Sequence, residues 1–212
     1  ALLSVEDAST PTGQREADGS GAELSIPYGV ISKSIYAING NTSFPMPPGI
    51  SPGDTVTYHL TYTLPTSDFE DLVLTDYLPL PIFDATTVNT FTDSVCGVPA
   101  SGESCYGPND TYHTLPNTPA PVTPTLTNDG PSNSVTWTYG WYDAPDNQPS
   151  QIDLLFTVTV NNEPFADGLY LTNQVHTHEY STNAGDHHVD GIVQVLLQEP
   201  VVRNVQVYAG EA

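Results

Sequence analysis

Basic residues are almost absent from this sequence. Its 212 residues include two arginines and one lysine against 25 aspartates and glutamates, which gives a formal net charge of −22. Nucleic acids and anionic membranes bind cationic surfaces, whose charges displace counterions, so neither is an expected partner. No run of 18 apolar residues is present, so we expect no membrane span. No basic region precedes an apolar run as in a signal peptide, so we expect a mature or excised chain.

Charged side chains of either sign are scarce too. Only 13% of the residues are charged, well below the share in an average soluble domain. Hydroxyl and amide side chains take their place, which is typical of extracellular, β-rich proteins exposed to proteases. We therefore predict an extracellular, cell-surface location. Adaptation of an acidic protein to salt explains the composition equally well.

Cysteine is limited to two residues, Cys96 and Cys105, in the loop-like segment CGVPASGESC. In an extracellular protein, two cysteines so close in sequence indicate a disulfide that closes a surface loop. Two free thiols are the alternative.

The sequence is rich in short segments in which apolar and polar residues alternate. The clearest runs from Asp54 to Leu64, where the apolar residues share one face and the threonines share the other. The other segments are Ile31 to Ala37, Leu72 to Leu78, Val135 to Trp141, Ile152 to Val160, Leu169 to Tyr180 and Ile192 to Leu197. They predict an all-β fold, an Ig-like two-sheet antiparallel β-sandwich whose strands have one face in the core and the other in water.

The predicted sandwich domain occupies residues 25–198. Residues 1–24 show little periodicity and predict an extended leader or an exchanged strand. Residues 83–133 form a long, proline-rich insertion, and irregular segments of this length are often functional. Residues 199–212 predict a C-terminal strand or a linker to a next module, and an unpaired sheet edge invites a strand from a neighbouring chain.

Three of the predicted strands carry one polar residue on their apolar face. Lys33, the sole lysine, is in phase with the isoleucines of ISKSI, Asp76 with the leucines of DLVLTD and Asn173 with those of LYLTN. Buried polar groups are costly unless they find partners, so we expect the three side chains to meet in the core. The alternatives are a Lys33 that reaches solvent, an Asp76 that caps a turn and an Asn173 that bonds backbone in a bulge.

An amine, a carboxyl group and a carboxamide in a dry core can form a covalent bond. Desolvation lowers the pKa of an amine and raises that of a carboxyl group, so we expect neutral Lys33 and protonated Asp76. The amine can attack the Asn173 side-chain carbonyl carbon while Asp76 polarises that carbonyl and transfers protons. The product is a Lys33–Asn173 isopeptide bond, which needs no cofactor because folding holds the reacting groups together.

The same residues carry a resemblance to a known family. The order of ISKSI, PGDTVTYHLTYTLP, LVLTDYLP and LTNQVHTHEY resembles the fimbrial isopeptide-forming domains of bacterial pilins and collagen-adhesin-type surface proteins. The resemblance implies that Lys33 and Asn173 form the crosslink and that Asp76 assists. It also implies a structural module of a surface fibre, pilus or adhesin stalk, whose partners are copies of itself or neighbouring modules.

Two other functions are weighed against a structural module. An adhesin tip domain would bind a glycan or protein receptor, on a host or a neighbouring cell, through the 83–133 insertion. An enzyme acting on an external substrate is the third hypothesis, and no nucleophile elbow, phosphate-binding loop or dinucleotide fingerprint supports it. We therefore predict no enzyme activity beyond self-crosslinking.

Histidines near the end of the domain are weak metal-site candidates. His176 and His178 lie on the outer face of the Asn173 strand, and His187 and His188 follow in a glycine-containing turn. Imidazoles bind zinc or copper, but this spacing is not diagnostic, and a solvated hairpin is the favoured interpretation. Oxygen ligands for Ca²⁺ are available in the loops Asn109–Asp110, Asn128–Asp129 and Asp143–Asn147, and turn formation explains these residues as well. No cofactor is predicted.

The aromatic segment at 137–142 offers a surface on which sugars could stack. Alternation instead predicts that Trp137, Tyr139 and Trp141 lie in the core and that Tyr142 is exposed. The core is the favoured interpretation.

Overall fold

The computed structural model describes residues 28–64, 68–88, 111–112, 122–143, 149–162, 167–181 and 185–199 of the chain. Within these ranges the only helical segment is one 3-10 turn, Ala85–Thr87. The strands, in chain order, are β1 (Val30–Ile38), β2 (Gly49–Ile50), β3 (Thr55–Leu64), β4 (Asp71–Tyr77), β5 (Thr111–Tyr112), β6 (Thr125–Asn128), β7 (Asn133–Tyr139), β8 (Ser150–Thr159), β9 (Tyr170–Ser181) and β10 (Gly185–Leu197).

These strands form two sheets. One sheet has four strands in the order β1–β3–β8–β5, and the other has six in the order β2–β10–β9–β4–β7–β6. The prediction of an all-β, two-sheet sandwich is therefore confirmed. The strand pairs are antiparallel, as predicted, except that β2 pairs in parallel with the end of β10 over two residues.

The core fills the space between the two sheets. Tyr58, Leu60 and Tyr62 alternate along β3 and are all fully buried. Trp137 of the six-stranded sheet packs on Phe156 of the four-stranded sheet, with ring centroids 5.5 Å apart. Burial of such large apolar side chains, worth ~25 cal/mol per Å² of apolar surface, holds the two sheets face to face.

The outer face of the four-stranded sheet is partly covered. Thr57 is 1% exposed and Leu155 is fully buried, although both alternate with core residues. On the same face His59 and Asp153 are hydrogen-bonded at 2.6 Å. The expectation that the second face of these strands lies in water is wrong here, because alternation separates two faces without showing what covers either one.

The aromatic residues after β7 differ from their prediction. Trp137 and Tyr139 are buried, but Trp141 is 72% exposed, so its assignment to the core is wrong. Tyr142, predicted to be exposed, is half-buried and packs on Phe69 with ring centroids 5.7 Å apart. The reason is that β7 ends at Tyr139, and beyond a strand end the alternation no longer assigns a side.

Several predicted features lie outside the described residues. They are the leader 1–24, the pair Cys96 and Cys105, and residues 200–212 of the tail, and these remain predictions. The two ends of the 83–133 insertion are described: Phe83 and Val88 are buried, and β6 pairs with β7. Both ends of the predicted insertion therefore pack as parts of the sandwich.

Candidate functional site

Three strands in two sheets position the predicted crosslinking residues. Lys33 lies on β1 of the four-stranded sheet, whereas Asp76 on β4 and Asn173 on β9 belong to the six-stranded sheet. Asp76 is paired with Val175, so Asn173 is its diagonal neighbour on the same face, within reach of longer side chains. Asp76 and Asn173 are 0% and 1% exposed, which agrees with the inward direction that alternation predicts.

Lys33 and Asp76 form a direct contact between the two sheets. The Lys33 Nζ donates a hydrogen bond to Asp76 Oδ2, and neither side chain is accessible to solvent. The ring of Tyr58, also fully buried, has its centroid 5.0 Å from the Lys33 Nζ. The alternatives in which Lys33 reaches solvent or Asp76 caps a turn do not hold in this structure.

Burial dominates the electrostatics of this pair. Desolvation lowers the pKa of Lys33 and raises the pKa of Asp76, while the attraction between the two groups opposes both shifts. Desolvation penalises both charged forms, so burial favours the uncharged amine and the uncharged acid. An uncharged amine can act as a nucleophile, and an uncharged acid can donate a proton.

Polar atoms without partners are concentrated around the pair. Among the described residues, Asp76 Oδ1, the Tyr58 hydroxyl and both polar atoms of the Asn173 side chain are buried with no hydrogen-bond partner. An unsatisfied buried polar group typically costs ~1–3 kcal/mol. The unbonded state of this site is therefore energetically unfavourable, and a reaction that consumes the amine and the carboxamide would relieve part of the cost.

Gly191 lies close to both Lys33 and Val175. It lies on β10 opposite Val175, and a methyl group at residue 191 would be 3.0 Å from Val175 Cγ1 and 3.5 Å from Lys33 Cβ. A glycine inside a strand often marks such a close approach, and that signal was available in the sequence DGIVQ. Neither Gly191 nor Tyr58 was singled out by the sequence analysis.

A second buried polar contact ties the start of β1 to β9. The Glu179 carboxylate accepts hydrogen bonds from the Tyr62 hydroxyl and, at 3.2 Å, from the Gly29 backbone N–H. Glu179 is 8% exposed, and burial raises the pKa of Tyr62. The ring of Tyr28 stacks on His187 at 4.0 Å. Glu179 carried the same signal in the sequence as Asn173, because both lie on the apolar face of β9, but it was not singled out. Its partner at Gly29 is a backbone N–H, which no side-chain pattern predicts.

The histidines form a surface ladder. His176 Nδ1 and His178 Nε2 lie 2.7 Å from the carboxylates of Asp190 and Asp186, respectively, and the ring of His188 stacks on both. The predicted turn position of His187 and His188 is wrong, because both lie in β10. Within the described ranges, no group of three or more histidine, cysteine or acidic residues is arranged to hold a metal ion.

Two of the loop residues considered for Ca²⁺ have hydrogen-bond partners within the protein. Asn128 donates a hydrogen bond to Asp84 at 2.8 Å, and Asp129 accepts one from the Ser132 backbone at 3.1 Å. The other loop positions, at 109–110 and 144–147, lie outside the described residues.

In the part of the chain that the structure covers, no helix is long and apolar enough to cross a membrane.

The site thus consists of a buried amine, acid and amide between the two sheets of a sandwich. No protein-family model matches the sequence, and no curated protein is a significant match. Solved structures are similar to it, among them BcpA, the major pilin subunit of Bacillus cereus, with TM-score 0.47 and 16% identity over 80% of this chain and 40% of that chain. The major pilin SpaA of Corynebacterium diphtheriae has TM-score 0.46 and 13% identity over 80% and 38%.

A collagen-binding subdomain of an Enterococcus faecalis surface protein is similar as well, with TM-score 0.38 and 13% identity over 82% of this chain and 99% of that chain. The chain spans 40% of the BcpA chain and 38% of the SpaA chain.

Proposed function

We propose that this chain is a structural module of an extracellular surface fibre, stabilised by an isopeptide bond between Lys33 and Asn173. The observation that carries the proposal is the solvent-inaccessible contact of Lys33 with Asp76, beside the buried and unpartnered Asn173 carboxamide. A lysine is almost never fully buried without a specific partner or purpose. Lys33 is also the only lysine in the chain.

The proposed reaction is an intramolecular transamidation. The neutral Lys33 Nζ attacks the Asn173 Cγ, and Asp76 donates a hydrogen bond to the carbonyl oxygen as negative charge develops there. A proton moves from the attacking nitrogen through Asp76 to the departing nitrogen. The Nζ–Cγ bond forms, the Cγ–Nδ2 bond breaks, and one ammonia leaves, so that no oxidant or cofactor is required.

The position of the bond suits a protein under tension. It would join an early strand of one sheet to a late strand of the other, so that pulling on the chain ends could not separate the sheets. By the chain-entropy argument used for disulfides, closing a loop of roughly 140 residues stabilises the fold by ~5 kcal/mol. The scarcity of basic residues, which leaves trypsin-like proteases few sites, fits the same exposed setting.

Intact-mass spectrometry tests the crosslink directly. The wild-type chain should be lighter than its calculated mass by about 17 Da, one ammonia, whereas Lys33→Ala should match its own calculated mass. Asp76→Ala keeps both reacting side chains and should remain mostly uncrosslinked, while Asp71→Ala, on the same strand, should crosslink normally. A wild-type chain at full calculated mass would rule out the bond.

Assembly into fibres is tested separately. A fibre module predicts filaments or tandem copies in electron micrographs of the native material. The receptor-binding alternative depends on the 83–133 insertion, most of which lies outside the described residues, and it stays a prediction.

A further inference from the structure

We propose that Tyr58 is a second catalytic donor in the crosslinking reaction, giving a hydrogen bond to the Asn173 carbonyl oxygen alongside Asp76. This inference rests on the proposed function and assigns a further residue to the same site. Tyr58 is paired with Ile35 across β1 and β3, so it is the diagonal neighbour of Lys33 on the inner face of its sheet.

The unpartnered atoms of the site are complementary to one another. The Tyr58 hydroxyl is a donor that lacks an acceptor, and the Asn173 Oδ1 and Asp76 Oδ1 lack partners as well. A carbonyl oxygen has two lone pairs, so it can accept from both Asp76 and Tyr58. Two donors at one carbonyl oxygen form an oxyanion site for the tetrahedral intermediate of acyl transfer.

The protonation state of Tyr58 fits a donor. Burial raises the pKa of its hydroxyl. The neighbouring Asn173 side chain lowers that pKa, but by less than burial raises it. The phenol therefore keeps its proton at neutral pH and can donate, but it cannot serve as the base. In the balanced reaction Tyr58 ends as it began, and the proton that reaches the departing ammonia passes through Asp76.

A matched pair of tyrosine variants tests this role. Tyr58→Phe removes the hydroxyl and keeps the ring in the core. Tyr139→Phe is the control, because the Tyr139 hydroxyl is also buried and unpartnered but lies on β7. Each full-length chain would be made by timed cell-free synthesis, with the loss of one ammonia followed by mass spectrometry. Folding would be followed in parallel by the fluorescence of the buried Trp137.

We expect Tyr58→Phe to crosslink about 100-fold more slowly than wild type, the effect of losing one oxyanion donor, while it folds at the same rate. Tyr139→Phe should crosslink at the wild-type rate. Equal crosslinking rates for the two variants would overturn the role of Tyr58. The role would also be overturned if Tyr58→Phe slowed crosslinking only by the factor by which it slowed folding. A wild-type chain that keeps its ammonia overturns the proposed function itself, and this inference with it.

Discussion

Gly191 of β10 lies directly against Lys33 of β1, with only 3.5 Å between the Lys33 Cβ and the position that a Cβ of residue 191 would occupy. The missing side chain lets the edges of the two sheets approach each other at this point. A Cβ at residue 191 would be in ordinary van der Waals contact with Lys33 and in tighter contact, at 3.0 Å, with Val175.

The first prediction concerns Gly191→Ala. The new methyl group would lie 3.0 Å from Val175 Cγ1, so the Val175 side chain must give by a few tenths of an ångström, and overpacking of this kind costs ~1–3 kcal/mol. We expect a lower free energy of unfolding in urea and slower loss of ammonia. Gly140→Ala is the control, because a methyl group there meets nothing within 4 Å. Equal stability and equal crosslinking of the two variants would show that the close approach is unimportant.

The second prediction concerns the pH dependence of Lys33→Ala. This variant cannot crosslink, and it leaves Asp76 buried without a cation. Burial raises the pKa of Asp76 in the folded state above its pKa in the unfolded state. The contribution of Asp76 to the free energy of unfolding is therefore fully present below the unfolded-state pKa and is lost as the pH rises through the folded-state pKa. We expect urea unfolding to require less denaturant at pH 8 than at pH 4.

The double variant Lys33→Ala/Asp76→Ala provides the comparison for this pH effect. It lacks both charged groups, so it should lose much less stability between pH 4 and pH 8. At pH 8 it should be the more stable of the two, because a buried charge without its partner costs ~3–5 kcal/mol. If the two variants have the same pH dependence, Asp76 does not titrate as an isolated buried acid.

The third prediction concerns the clasp of Glu179, Tyr62 and the Gly29 backbone. Tyr62→Phe and Glu179→Gln should each destabilise the fold by ~1–3 kcal/mol, because each leaves a buried polar group less well satisfied. The two changes should be strongly non-additive in a double-mutant cycle, since the groups share one hydrogen bond. Hydrogen exchange at the Gly29 amide should accelerate in Glu179→Gln, and additive effects with unchanged exchange would argue against a clasp.

The fourth prediction concerns the histidine ladder. The hydrogen bond from His176 lowers the pKa of Asp190, so His176→Ala should raise that pKa toward its usual range. NMR titration of the Asp190 side-chain carboxyl carbon measures the change. His178→Ala is the control, because His178 bonds Asp186 instead and should leave the Asp190 titration largely unchanged. Any stability from Asp190 is present above its unfolded pKa and lost as the pH falls through the folded pKa.

Alternation along the chain was sufficient to predict the two-sheet sandwich and the faces of its strands. A period of two assigns each residue of a regular strand to one side, so the inward direction of Lys33, Asp76 and Asn173 followed from local sequence. The same reasoning failed for Trp141, which lies past the end of β7. It also failed for Leu155, which lies on the outer face of the four-stranded sheet, where that face is covered.

Contacts between the sheets were decided by tertiary structure. Period-two reasoning says which way a side chain points, but the partner it meets depends on register and on the distance between strands that are far apart in sequence. For this reason Tyr58 beside Lys33, the close approach at Gly191 and the Glu179 clasp became visible only in the folded chain. The sequence by itself determined that an amine, an acid and an amide enter the core, and packing of the two sheets decided that Lys33 meets Asp76 there.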